Sequence, residues 1–147
     1  MTPKNSYSEQ NHASEIELIN FVSKLTPDQL KTTMPAGWDV LSVLAHVVFW
    51  DIRALTLIEK WESGEIKVSE VDTDVINEVT RPIFLTLDLA KAIAMIIDYS
   101  KMIDEKIDSL SPEFIARIEA EGKNVHLNRS KHRRMHIDEI KQILQLA

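Results

Sequence analysis

Asp39-Val40-Leu41-Ser42-Val43-Leu44-Ala45-His46-Val47-Val48-Phe49-Trp50 is the most apolar segment of the chain. Only Ser42 and His46 interrupt its apolar run from Val40 to Trp50. A helix that is apolar all round for three turns has to be enclosed by other helices. Asp39 suits the N-cap and Gly64 the C-terminal stop, which predicts one long helix from Asp39 to about Ser63. His46 is the only ionisable side chain in that run. A buried imidazole is costly without a partner, whether that partner is a core hydrogen bond or a shared metal.

Working outward, Ser14-Glu15-Ile16-Glu17 has the form of a capping box, a hydroxyl followed three residues on by a carboxylate. It predicts a first helix to about Leu25, with Ile16, Ile19 and Val22 facing inward beside Leu18 and Leu25. Residues 1–13 then read as a disordered or loosely held arm. Thr26-Pro27-Asp28 opens a short helical turn, because proline suits the first helical position. Pro35-Ala36-Gly37 breaks the chain, and a polar connection runs from Glu65 to Asp74. A third helical region begins near Asp74, is kinked or broken at Pro82, and resumes at Thr86 or Leu87. It continues to about Ser109, with Ile93, Ile96, Ile97, Ile103, Ile107 and Leu110 at helical period. Ser111-Pro112-Glu113 opens another short turn, and a last helix is expected from about Leu127 to Leu146. Met95, Met102 and Met135 read as core filler, and Trp38, Trp50 and Trp61 as packing residues. Val125-His126-Leu127 is too short to carry a sheet. The expected fold is all-α: one domain over residues 14–147, a four-helix bundle with short connecting helices.

Composition narrows the function. The chain has 147 residues, one domain's worth, and shows no internal repeat. Its net charge of -6 repels nucleic-acid phosphate, so no nucleic-acid partner is expected. No uninterrupted apolar run approaches the ~20 residues of a membrane span. The polar N-terminus carries no apolar signal-peptide core, so a cytoplasmic protein without a membrane partner is expected. There is no cysteine, which excludes disulfides, thiolate metal ligands and a cysteine nucleophile. Any thiol chemistry would need a thiol brought by a cofactor. A Gly-rich phosphate loop, an HExxH motif and a G-x-S-x-G elbow are all missing.

The chemistry turns on the histidines. His132 and His136 are four apart on a predicted helix, on one face and one turn from each other. Such a pair is either a surface feature or two convergent ligands for a divalent ion. Arg133 and Arg134 point ~60–160° away on a helical wheel and read as a solvated face. Adding His46 makes three imidazoles with one position left open, the arrangement of catalytic zinc. Glu139, one turn beyond His136, is either an ordinary surface carboxylate or the group that orients an imidazole from behind. Glu9-x-x-His12 has di-iron spacing but falls in the presumed arm and is set aside.

Gly37-Trp38-Asp39-Val40, Val43-Leu44-Ala45-His46 and Trp50-Asp51 together resemble the second-helix signature of the DinB-like proteins. His132-x-x-x-His136 followed by Ile137 and Glu139-Ile140 resembles that family's fourth-helix signature. The resemblance runs from about Ser14 to Leu146. It implies a four-helix bundle of up-down-down-up topology. It also implies a divalent metal, zinc or nickel, on one histidine of helix two and two of helix four, here His46, His132 and His136. Relatives include mycothiol-dependent maleylpyruvate isomerases, bacillithiol transferases and a colibactin-protection protein, so a low-molecular-weight thiol is a possible second cofactor. Asn77 and Arg81 align with substrate-side positions, and Trp50 joins them as a candidate. Arg133, Arg134 and Met135 depart from the aromatic and acidic residues common between the two histidines. The expected function is a metal-dependent thiol transferase or hydrolase acting on an electrophilic small molecule, in a homodimer. The alternative is a non-catalytic, stress-related bundle that sequesters a small molecule and carries a structural or vestigial metal.

Overall fold

Asp39 starts the central helix in the way its chemistry predicts. Its carboxylate accepts from the Ser42 backbone N–H at 2.7 Å, and the Ser42 hydroxyl lies 2.9 Å from the Asp39 backbone N–H and accepts from it. In the computed structural model, which describes residues 4–147, this helix is one of a set that makes those residues all-helical. In chain order they are α1 (Ser8–Lys24), α2 (Pro27–Leu30), α3 (Val40–Glu62), α4 (Thr73–Phe84), α5 (Leu89–Ser109), α6 (Pro112–Ala120) and α7 (Ser130–Leu144). Short 3₁₀ turns at Pro35–Gly37 and Asn124–His126 complete the list. Side-chain oxygens of Thr26, Asp72, Asp88 and Ser111 cap α2, α4, α5 and α6, each satisfying a backbone N–H that the helix leaves free.

The four long helices α1, α3, α5 and α7 share the interior: α1 and α3 each pack against both α5 and α7, and α4 lies along α3. By length and composition α3 could cross a membrane, yet 72% of its apolar window is buried inside the protein. Two apolar clusters divide the core. One gathers Leu18, Phe21, Leu41, Leu44, Ile96, Ile137 and Ile140. The other gathers Ala54, Ile58, Trp61, Ile103, Ile107, Ile118 and Leu127.

A buried polar layer separates the clusters, and Arg133 is its centre. The side chain is 0% exposed. Its guanidinium donates to both carboxylate oxygens of Asp104 on α5 at 2.9 Å, and to Asp51 Oδ2 on α3 at 3.1 and 3.2 Å. It also donates to the Ser100 carbonyl on α5 and to the Asn11 carbonyl and Ser14 hydroxyl on α1. Arg129, from the residue before α7, donates to Asp51 Oδ1 at 2.8 Å. Burial works against the guanidinium's charge, but Asp51 and Asp104 more than offset it and raise its pKa.

Several expectations are corrected here. Arg133 does not belong to a solvated face. It stands on the stripe of Ile137 and Ile140, where the fourfold spacing points it inward. Arg134 is partly exposed and pairs with Glu17 at 3.4 Å. The arm is shorter than 1–13, because α1 begins at Ser8, with Ser8 and Asn11 buried. The expected disorder of residues 1–3 falls outside the described residues. Ser14 caps nothing; it sits within α1 and its hydroxyl bonds back to the Asn11 carbonyl. Ile16 is 58% exposed, and Met102 and Met135 are also exposed, so they are not core filler. α4 carries Pro82 in its last turn and ends two residues later. The last helix begins at Ser130, after a 3₁₀ turn at Asn124–His126 and three irregular residues.

Arg133→Ala removes one partner of a fully buried ion network and is expected to cost about 3–5 kcal/mol of stability. Arg134→Ala, at a partly exposed pair, should change stability by less than about 1 kcal/mol. Urea unfolding of the two variants beside the wild type measures the contrast.

Candidate metal centre

His46 lies in the second turn of α3, and the backbone before it is pinned. Val40 N–H donates to the Thr32 carbonyl at 3.1 Å and Met34 N–H to the Trp38 carbonyl at 2.7 Å. Ala36 and Gly37 adopt left-handed φ values of 61° and 82°, so the turn closes over the start of α3. His132 and His136 project from the first two turns of α7 toward the same point. His132 Nε2 stands 3.2 Å from His46 Nε2 and 3.1 Å from His136 Nε2. Two nitrogens on one tetrahedral zinc are separated by about 3.4 Å, from Zn–N bonds of about 2.1 Å. The three rings therefore meet at nearly the spacing of ligands on one ion, and this group could hold a metal.

The surroundings match ligand chemistry. Burial first, then the neighbouring His136, lowers the His46 pKa to about 4. Burial, with His136 and His46, lowers that of His132 to about 3. Both imidazoles are thus neutral at pH 7, with lone pairs available. His136 Nδ1–H donates to Glu139 Oε2 at 2.9 Å, which leaves Nε2 as the ligand atom. This carboxylate–histidine pair is the orienting role weighed for Glu139. On the far side of His46, Nδ1 is buried without a hydrogen-bond partner, as is Asn77 Oδ1. The Asn77 side chain opposes the lowering of the His46 pKa.

A cleft of about 290 Å³ opens beside the imidazoles. Met34, Pro35, Ala36, Trp38 and Val43 give it an apolar wall, and His46, Asn77, His136 and Glu139 line the polar side. Of the substrate-side candidates, Asn77 is on this lining. Arg81 is half-buried on α4 but does not line the cleft, and it forms no ion pair among the described residues. Trp50 is also off the lining: it meets His46 edge-on at 6.4 Å, under the Arg53 guanidinium. Trp38 takes the place given to Trp50, contacting His46 edge-on at 5.6 Å. Both lie beside His46, but Trp38 precedes the helix and its turn swings it over the cleft. The sequence signal for Trp38 is the break at Pro35-Ala36-Gly37 that immediately precedes it. His126 is elsewhere, against Trp61 at 5.4 Å.

Glu139→Ala should weaken metal affinity by about 10–100-fold, measured by competition with a chromogenic chelator. A pH dependence follows for metal-free protein. The folded pKa values of His46 and His132 lie below the unfolded value of about 6.5. The unfolded chain therefore takes up protons first, and stability that is full above pH 6.5 is lost as the pH falls toward about 4 at His46 and about 3 at His132. The urea midpoint in chelator should drop between pH 7 and pH 4.5, and less steeply in His46→Leu.

No protein-family model matches the chain, and no curated protein or solved structure matches it.

Proposed function

We propose that the protein is a metal-dependent enzyme that transfers a low-molecular-weight thiol, or water, to an electrophilic small molecule. The observation that carries this reading is the convergence of three imidazoles from α3 and α7 beside an open cleft. A structural zinc site is closed by four protein ligands. Here the described residues bring three together, and the cleft lies beside them. This favours catalysis over the alternative of a structural or vestigial metal. Zinc or nickel suits an all-imidazole set.

Bound there, a divalent ion supplies a Lewis acid that lowers the pKa of a thiol or a water molecule into the neutral range. The chain's own residues do the rest. Glu139 holds the His136 ring in one tautomer. Trp38, Met34 and Val43 favour an apolar substrate body and exclude water from one side of the cleft. No arginine or lysine lines the cleft and Glu139 stands at its edge, which disfavours a strongly anionic substrate. The absence of cysteine fits a thiol that arrives as a cosubstrate.

The same reading extends to ancestry and topology. The two blocks around His46 and His132–His136 support membership of the DinB-like proteins. The packing of α1 and α3 against both α5 and α7 supports a four-helix bundle, for which we propose the up-down-down-up order.

The test begins with protein purified without a nickel column. It should contain near-stoichiometric metal, and His46→Ala should lose it. Metal-replete protein is then screened with several cellular thiols against a panel of neutral electrophiles. Thiol-dependent turnover that falls to background in His46→Ala is the expected result. Full metal occupancy with no turnover by any thiol or by water would overturn the enzymatic reading.

A further inference from the structure

The polar layer contains a second convergence of ligand atoms, at the α1–α5 side. His12 on α1 has both ring nitrogens facing carboxylates. Its Nε2 lies 2.5 Å from Asp108 Oδ2, a short charge-assisted hydrogen bond in which the ring nitrogen donates. Asp108 is itself held by the Ser8 hydroxyl at 2.7 Å. The other nitrogen, Nδ1, stands 3.3 Å from Glu15 Oε2. That oxygen is buried and completes no hydrogen bond, and Glu15 as a whole is 8% exposed. The Asp108 hydrogen bond raises the His12 pKa, and burial with Asp104 raises that of Glu15 to about 7, so without a metal the pair retains a proton. Once that proton leaves, the ring turns a lone pair toward a carboxylate oxygen. Two acceptors facing each other at this distance need a cation between them. The Asp104 carboxylate closes the group: one ligand atom from each of His12, Glu15 and Asp104 lies within 4.8 Å of the others.

Charge points the same way. Glu15, Asp51, Asp104 and Asp108 bring four carboxylates to this layer, while Arg129 and Arg133 bring two guanidinium groups. With His12 and Glu15 deprotonated two negative charges are left over, and one divalent cation displacing their protons would balance them. Asp104 accepts from Arg133 through both oxygens, yet each oxygen keeps a further lone pair. Access is open on one side, since the His12 side chain is 38% exposed whereas that of Asp104 is 0%.

We propose that His12 Nδ1, Glu15 Oε2 and the Asp104 carboxylate form a second metal site, with Asp108 holding the imidazole from behind. The imidazole among oxygen ligands selects a first-row transition ion such as zinc or manganese over calcium or magnesium. The carboxylate on the ring's other nitrogen is the usual support of a ligating histidine. The site shares no ligand with His46, His132 and His136, and it stands whether or not the trihistidine centre is catalytic.

The test uses full-length His46→Ala/His136→Ala, which lacks the first centre. Cleared of metal and titrated with Co2+, it should bind one equivalent with visible d–d absorption. Adding Glu15→Gln should lower that affinity at least about tenfold, and adding His12→Asn should do the same. If Glu15→Gln fails to fold by circular dichroism, His12→Asn at the partly exposed ligand carries the test alone. No Co2+ uptake by the double variant would overturn the proposal and assign the layer to protons alone. Uptake that survives the His12 and Glu15 substitutions would overturn it as well.

Discussion

The structure depends on a guanidinium that has nowhere to go. Arg133 is fully enclosed, and each of its donors is taken up by α1, α3 or α5. A buried charge is tolerable only when it is paired and fully hydrogen-bonded, so the three helices must present Asp51, Asp104, Ser100, Asn11 and Ser14 in one arrangement. Apolar packing accepts many registers at similar cost. A network of this kind accepts one. The layer therefore fixes how far α7 is slid along its neighbours, and with it the height of His132 and His136.

That constraint links core and site. Arg133 immediately follows His132 in α7, so the residue that locks the helix inward also sets the azimuth of the neighbouring ring. On the facing side Asp51 is five residues beyond His46 on α3. The two ends of the ion network and the members of the imidazole cluster are thus carried by the same two rigid elements. The two N···N separations of 3.2 and 3.1 Å among the imidazoles are set by contacts about one turn away. Between the two histidines, Arg133 occupies a position that faces the core.

The cleft is made differently. Its floor rests on helices, but its apolar wall comes from the turn between α2 and α3, where Ala36 and Gly37 adopt left-handed backbone. A non-glycine residue in that conformation costs roughly 1–2 kcal/mol, and hydrogen bonds around Thr32, Met34, Trp38 and Val40 hold the turn in place. Walls built on short pinned turns can vary without disturbing the helices behind them, which is how one scaffold comes to serve different substrates.

The helical class, the boundaries of α3 and the three histidines as candidate partners were legible in the residues alone. Each rested on local chemistry: periodicity, a capping aspartate, a spacing of four. Glu139 was legible too, because a residue three beyond His136 reaches it on any helix. Tertiary structure alone decided what Arg133 is for, since a helical wheel gives an angle and not the depth at which a carboxylate waits. It decided as well that Trp38 rather than Trp50 walls the cleft, that Arg81 stays off it, and that His12 belongs to a helix facing Asp104 and Asp108. In those cases the partners lie tens of residues apart, and only the packing of one helix on another brings their charges and lone pairs within reach.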